Sequence, residues 1–287
     1  MKTNLLRCLG TIALAASSIV FSNNAFAQES FEDSMTGKLD SLIKVPDVSP
    51  AGLLLYPDDA QGSIMVPSGF GGSGTYLFGG IGSTYPELYK NNKADLITFG
   101  GVSVGDPIKA VNFAAGLNMT DVHRFRDFSA NFDFSKQLSA ASSISAGGLG
   151  LFANTKQSDS PGPTFYIAFS HAVQGVPSLT PGCSALSYTI GIGDGRFLDK
   201  SPDDIKSGKG KYGTAVFGSI SYEIIHHVNL NAEWYGTNLG ISTGIRPFKN
   251  PLSVGFGVDD LTRYSGDKAS MILTLGYPLS IRRTPAN

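Results

Sequence analysis

Charge is scarce in this chain. Of its 287 residues, 16% are Asp, Glu, Lys or Arg, against roughly 25% in an average soluble protein. Formal net charge is −1, so there is no basic excess, and the concentrated positive surface that a nucleic-acid partner needs is missing. Cysteine is nearly absent: Cys8 and Cys183 are the two present. Cys8 falls in an N-terminal leader, which leaves the mature chain one thiol and no internal disulfide. Outside that leader no apolar run reaches the roughly 18 residues of a membrane-crossing helix. No GxGxxG or GK[ST] sequence opens a helix, so the pairs Gly71-Gly72, Gly79-Gly80, Gly100-Gly101 and Gly147-Gly148 are not phosphate cradles. They read instead as tight packing, kinks or bulges in curved strands. Disorder is excluded too, because 41% of the residues are hydrophobic and 10% aromatic.

What the chain has in quantity is glycine, 35 residues of it, and an alternation of period two. Four segments near the C-terminus show it best. Leu230, Ala232 and Trp234 alternate with Asn229, Asn231 and Glu233. Leu239, Ile241, Thr243 and Ile245 alternate with Asn238, Gly240, Ser242, Gly244 and Arg246. Val254, Phe256 and Val258 face Gly255, Gly257 and Asp259, and Met271, Leu273, Leu275 and Tyr277 face Ile272, Thr274 and Gly276. A pleated strand sends successive side chains to opposite faces, so each segment predicts a strand with one apolar face. Eight more begin at Ser73. The cleanest, 127–135, sets Phe128, Ala130, Phe132 and Phe134 against Ser129, Asn131, Asp133 and Ser135.

The ends are different. Lys2 and Arg7, an apolar stretch from Cys8 to Phe21 and Ala25-Phe26-Ala27 form the tripartite pattern of a Sec signal peptide over 1–27, with a mature start at Gln28. Cleavage would leave a net charge of −3. In the lead-in over 28–72, Phe31, Met35, Leu39 and Leu42 predict a short amphipathic helix. Pro46, Pro50, Pro57 and Pro67 then predict an irregular linker, either disordered or resting in a barrel mouth. The β region runs over 73–279, and 280–287 is a tail.

The predicted fold is all-β: an antiparallel up-and-down transmembrane β-barrel of about twelve strands. The polar strand face decides between lipid and water outside. A water-facing surface carries Lys, Glu and Thr; this one carries Gly, Ser, Asn and isolated acids, with charge gathered in the connections. Strands of 9 to 11 residues match the length needed to cross a bilayer at a tilt. Connections alternate between short (105–109, 136–140, 223–227, 247–251) and long (84–93, 154–163, 194–210), the pattern of long outer loops and short inner turns. Residues 173–184 break it by being long, and Gly236-Thr237 by being tight. Tyr76, Phe99, Phe128, Phe165, Tyr212, Trp234 and Tyr277 stand where interfacial aromatic girdles are expected.

The leader, the twelve alternating strands and the closing segments together resemble bacterial outer-membrane β-barrels of the porin-like kind. The resemblance covers residues 73–279. It implies location in the outer membrane, lipid as the surrounding partner and contact with the barrel-assembly machinery. That machinery usually reads an alternating last strand ending in an aromatic; here Leu279 stands at that position and SIRRTPAN follows.

The residues carry little sign of catalysis. Ser170-His171 are strand neighbours on opposite faces and form no dyad. His226-His227 fall at a short turn and read as surface histidines. Asp194, Asp199, Asp203 and Asp204 share one long loop with Lys200, Lys206, Lys209 and Lys211 and match no calcium spacing. No catalytic residue, metal ligand or cofactor is assigned. The lumen remains: Asn112, Asn131, Asp133, Asn229, Asn231, Glu233, Asn238, Arg246 and Asp259 are expected to face inward. They would either select small polar solutes in a narrow channel or fill a closed envelope component. Two alternatives stand beside this. One is a secreted soluble β protein, periplasmic or extracellular, stacking a glycan on Tyr85, Tyr89, Trp234 or Tyr264. The other is an envelope lipid hydrolase.

Overall fold

In a computed structural model of the chain, the described residues are 56–57, 60, 62–87, 93–153, 162–200, 205–248, 251–262 and 269–281. The leader, the expected helix over 28–45, Tyr89, Asp203, Asp204, Tyr264 and the tail from 282 lie outside them. Twelve strands form the wall: β1 (Tyr76–Glu87), β2 (Lys93–Gly105), β3 (Asn112–Asp121), β4 (Arg126–Ser139), β5 (Ser142–Leu151), β6 (Thr164–Ala172), β7 (Leu186–Gly193), β8 (Val216–Ile225), β9 (Val228–Trp234), β10 (Leu239–Ile245), β11 (Ser253–Asp259) and β12 (Ser270–Ser280). Each pairs antiparallel with the next. β12 closes on β1 in a register that runs from Met271↔Tyr85 to Ser280↔Tyr76. A closed, even-numbered meander leaves no edge strand.

Alternation sorts the side chains. The outer wall shows Leu77, Ile81, Leu117, Ile167, Ile190, Ile220, Leu230 and Leu273, each 40–59% exposed. Water does not tolerate an apolar band of that extent around a whole molecule, whereas a bilayer requires it. The soluble alternative fails on this surface. The Ser, Thr, Asn and acidic residues of the same strands are buried inside, an inversion of the water-soluble pattern.

Glycine and aromatic residues meet across strands. Phe78 pairs with Gly101 and Phe99 with Gly80, and a Cβ at either glycine would run into the ring opposite. Phe217 lies over Gly191 in the same way. These glycines make room for rings lying flat on the wall, which is the tight packing read from the glycine pairs. They also correct the girdle assignment. Phe99 is buried inside the lumen, and Tyr76 points inward to Ser103 and Gly72. Both share the inward register of Phe78 and Ser103, so neither reaches lipid. Phe128, Phe165 and Tyr277 do face outward.

The end of the barrel holding the connections 106–111, 140–141, 226–227 and 246–252 is here termed the turn end, and the opposite one the loop end. The anomalously long turn-end connection, 173–185, has a structural use. Its Cys183-Ser184 pairs in parallel with Tyr56-Pro57, which docks the incoming chain beside the barrel opening and buries the thiol of Cys183.

Candidate functional site

From that dock the chain turns into the barrel. The carbonyl of Ala60 sits where a Cβ of Gly244, one residue from the turn end of β10, would stand. Residues 63–66 reach Glu233, next to the loop end of β9. The chain then descends the opposite wall. Gly69 lies against the main chain of Ser143, Ala168 and Ser170, and Phe70 packs on Ala141 and Ala172 at the turn end. Residue 60 and residues 62–72 therefore trace a path that enters the lumen and leaves it on the same side. The described part of the lead-in after the dock, residues 60 and 62–72, lies inside the barrel and not at its mouth. Sequence explains why this stretch can do so. Small residues and Pro67 keep it thin and non-helical, while Ile64, Met65 and Val66 at its tip are apolar enough to join Ile97, Phe99, Phe197 and Phe217 in a buried cluster.

Glu233 is fully buried and holds the tip. Its carboxylate accepts the backbone N–H groups of Ile64 at 3.1 Å, Met65 at 2.7 Å and Val66 at 3.1 Å. The hydroxyls of Ser63 and Ser242 donate to it as well. Five donors satisfy a charge that would otherwise be costly to bury. Around this anchor the wall grips the main chain. Asn231 Nδ2 donates to the Gly62 carbonyl at 2.9 Å, Ser145 Oγ to the Ser68 carbonyl at 2.8 Å, and Gly69 N–H donates to Ser170 Oγ at 2.7 Å.

The loop end closes over the same tip. In the long connection 194–215, a 3-10 turn at Gly195–Phe197 dips into the barrel. Phe197 is fully buried against Phe217 with ring centroids 4.2 Å apart. Arg196 Nη2 donates to the Met65 carbonyl at 2.7 Å. Burial pulls its guanidinium down to about 10, opposed by Tyr235, Glu233 and Asp259, so the group stays cationic at neutral pH. A second bracket ties neighbouring loops: Asp260 Oδ1 accepts Tyr235 Oη at 2.5 Å and Asn238 Nδ2 at 2.6 Å.

All nine residues expected inside are buried, but they do not form one site. Asn231 and Glu233 meet at the tip. Asp133 accepts Tyr166 Oη at 2.8 Å, Asn131 Oδ1 accepts Gly150 N–H at 2.8 Å, and Asn112 bonds Ser103. Asn229 reaches Ser221 at 3.5 Å and Asp259 accepts Ser270 Oγ at 2.6 Å; these are wall pairs. Asn238 belongs to the loop-end bracket. Arg246 lies at the turn end, where its N–H donates to the His227 carbonyl. Sequence reading missed Arg196, Ser145, Ser170 and Ser242. The three serines are ordinary wall residues by pattern, and Arg196 lay in a loop that alternation does not describe.

Two features bear on catalysis. Ser142 Oγ lies 2.8 Å from His171 Nδ1 on the outer wall, beside Tyr188. Among the described residues no carboxylate bonds that histidine. His226 and His227 stack at 3.7 Å in the β8–β9 turn, and no cluster of three metal-ligating side chains occurs among the described residues.

A closed even-stranded wall, apolar outside and polar inside, defines the class: a porin-like outer-membrane β-barrel, here carrying its own N-terminal segment in the lumen. No family model matches the sequence, and no curated protein matches it. Among solved structures the chain is similar to KdgM porin, at 11% identity and TM-score 0.40 over 72% of this chain and 99% of that one. It is also similar to the outer membrane phospholipase A of Escherichia coli, at 10% identity and TM-score 0.37 over 73% and 93%. A third is the Salmonella typhi outer membrane phospholipase dimer with bound calcium, at 10% and 0.34 over 72% and 91%.

Proposed function

We propose that the chain is exported to the outer membrane and acts there as a narrow channel for small polar solutes, closed at rest by residues 60–72. One observation carries this reading. The occupant of the lumen is a single covalent loop, inserted from one end and held mainly by hydrogen bonds to a polar wall. A lumen meant to stay filled is served more simply by larger wall side chains; a loop that enters and leaves on the same side can be withdrawn. Planar-bilayer recording tests it. The wild-type protein should insert silently, and Glu233→Ala, which orphans three backbone donors at the tip, should produce discrete conductance steps. A wild-type protein that conducts steadily, or a folded Glu233→Ala barrel that never conducts, would refute it.

A lipid hydrolase is the second reading, and the Ser142–His171 pair on the lipid-facing wall favours it. Against it, the serine meets Nδ1 and no acid orients the ring among the described residues, unlike a working triad. Fatty-acid release from phospholipid vesicles by wild type but not by Ser142→Ala would establish it; equal background release from both removes it.

A further inference from the structure

The wall contacts to residues 60–72 are aimed at main chain. Gly62 O, Ile64 N, Met65 N, Met65 O, Val66 N, Ser68 O and Gly69 N are seven main-chain groups bound by five side chains: Asn231, Glu233, Arg196, Ser145 and Ser170. These contacts recognise a polypeptide as such, because every residue except proline offers the same N–H and C=O. Side-chain contacts at the tip are closest in two notches, with Phe70 seated apart from them on Ala141 and Ala172. Ile64 Cδ1 lies where a Cβ at Gly255 or Gly257 would come within 3.3 and 3.2 Å. The Met65 sulfur lies 2.6 Å from the Cβ position of Gly240. Glycine at those wall positions makes room for two consecutive aliphatic side chains. The hydroxyl of Ser63 joins the same carboxylate.

From this arrangement we infer that the lumen is a peptide-binding site and that residues 60–72 occupy it as a tethered stand-in for a peptide supplied from outside the barrel. Its ligand class is a short, uncharged peptide with a small hydroxyl residue followed by two or three aliphatic ones. This deepens the channel reading and rests on it, since the site is reached only when the tethered segment leaves. Tethering gives that segment an effective concentration on the order of millimolar, so the intact chain masks its own site. A free peptide binds once the tether is weakened while the wall stays intact.

The test uses the full mature chain in detergent and a fluorescent peptide with the sequence of residues 60–72, read by anisotropy. Wild type should bind little. A chain carrying Met65→Pro loses one tip N–H from its tethered segment alone and should bind the peptide. A free peptide with the same proline lacks that N–H and the Met65 side chain and should bind at least about tenfold more weakly, since one hydrogen bond to a charged group is worth that much by itself, and adding Glu233→Gln to the Met65→Pro chain should also weaken native-peptide binding. Protease cleavage within 60–72 reports whether the tether has left. If Met65→Pro leaves it protected, Ile64→Pro with Val66→Pro replaces it. Equal binding of native and proline peptides, or no binding to a heat-modifiable barrel whose tether is cleaved, overturns the inference. Binding without conductance would sink the channel reading and leave the peptide site standing; conductance without binding would do the reverse.

Discussion

Glu233 shows how one residue's environment sets its role. On a lipid-facing or empty wall it would be a liability; with five donors around it, it is the fastening of the lumen loop. Glu233→Gln keeps the shape but removes the charge and replaces one acceptor oxygen with a donor that faces donors. Each orphaned buried N–H costs about 1–3 kcal/mol, so release of the loop should become easier by a similar amount, measurable as faster protease cleavage within residues 60–72 at unchanged barrel stability. Protection equal to wild type would mean that the apolar tip holds the loop instead. The outer wall gives the complementary case. Ile167 lies mid-strand and half exposed, so Ile167→Arg should destabilise the barrel in lipid vesicles by about 2–4 kcal/mol in a denaturant titration. A change near zero would place Ile167 away from the bilayer core.

At the scale of elements, Gly244 links wall and loop. Its missing Cβ is the space taken by the Ala60 carbonyl, and Gly62 N lies 3.2 Å from the same position. Gly244→Leu should expel the entering limb without disturbing the β9–β10 or β10–β11 register. Bilayer recordings should then show an open barrel, and retention of the wild-type closed state would refute the close approach. Strands were the legible elements. Period two identified all twelve wall strands, because one face meets lipid and the other the lumen, and a one-residue slip would exchange them. The faces of Asn231 and Glu233 followed from the same rule. The inserted loop was not legible. Residues 60–72 have no period, and the wall side chains that bind their main chain lie 77 to 169 residues away, on walls that alternation describes without saying what occupies the space between them. Tyr76 and Phe99 were misplaced for a related reason: in glycine-rich strands both faces are small, so the aromatic alone does not reveal its side.

The whole molecule is a closed wall with two closures that meet. The lumen loop rises from the turn end, the Gly195–Phe197 turn descends from the loop end, and the Arg196 to Met65 hydrogen bond joins them. Among the described residues, the buried acidic and basic side chains of the wall strands are all acidic. Asp133, Glu233 and Asp259 face inward there, with Arg196 the cation bonded to the tip. An opened lumen should therefore favour cations, since a low-dielectric passage focuses the field of its fixed charges. In the Gly244→Leu background, the reversal potential under a salt gradient should report cation preference. Asp133→Lys places a positive charge beside the path and should move that potential toward anion preference, more strongly at low ionic strength, where screening extends over a longer Debye length. Asn112→Ser, a neutral change on the same inner wall, should leave it in place. An Asp133→Lys barrel that conducts with the parent's selectivity would show that ions pass along another part of the wall, and the acidic lining would then serve the fold alone.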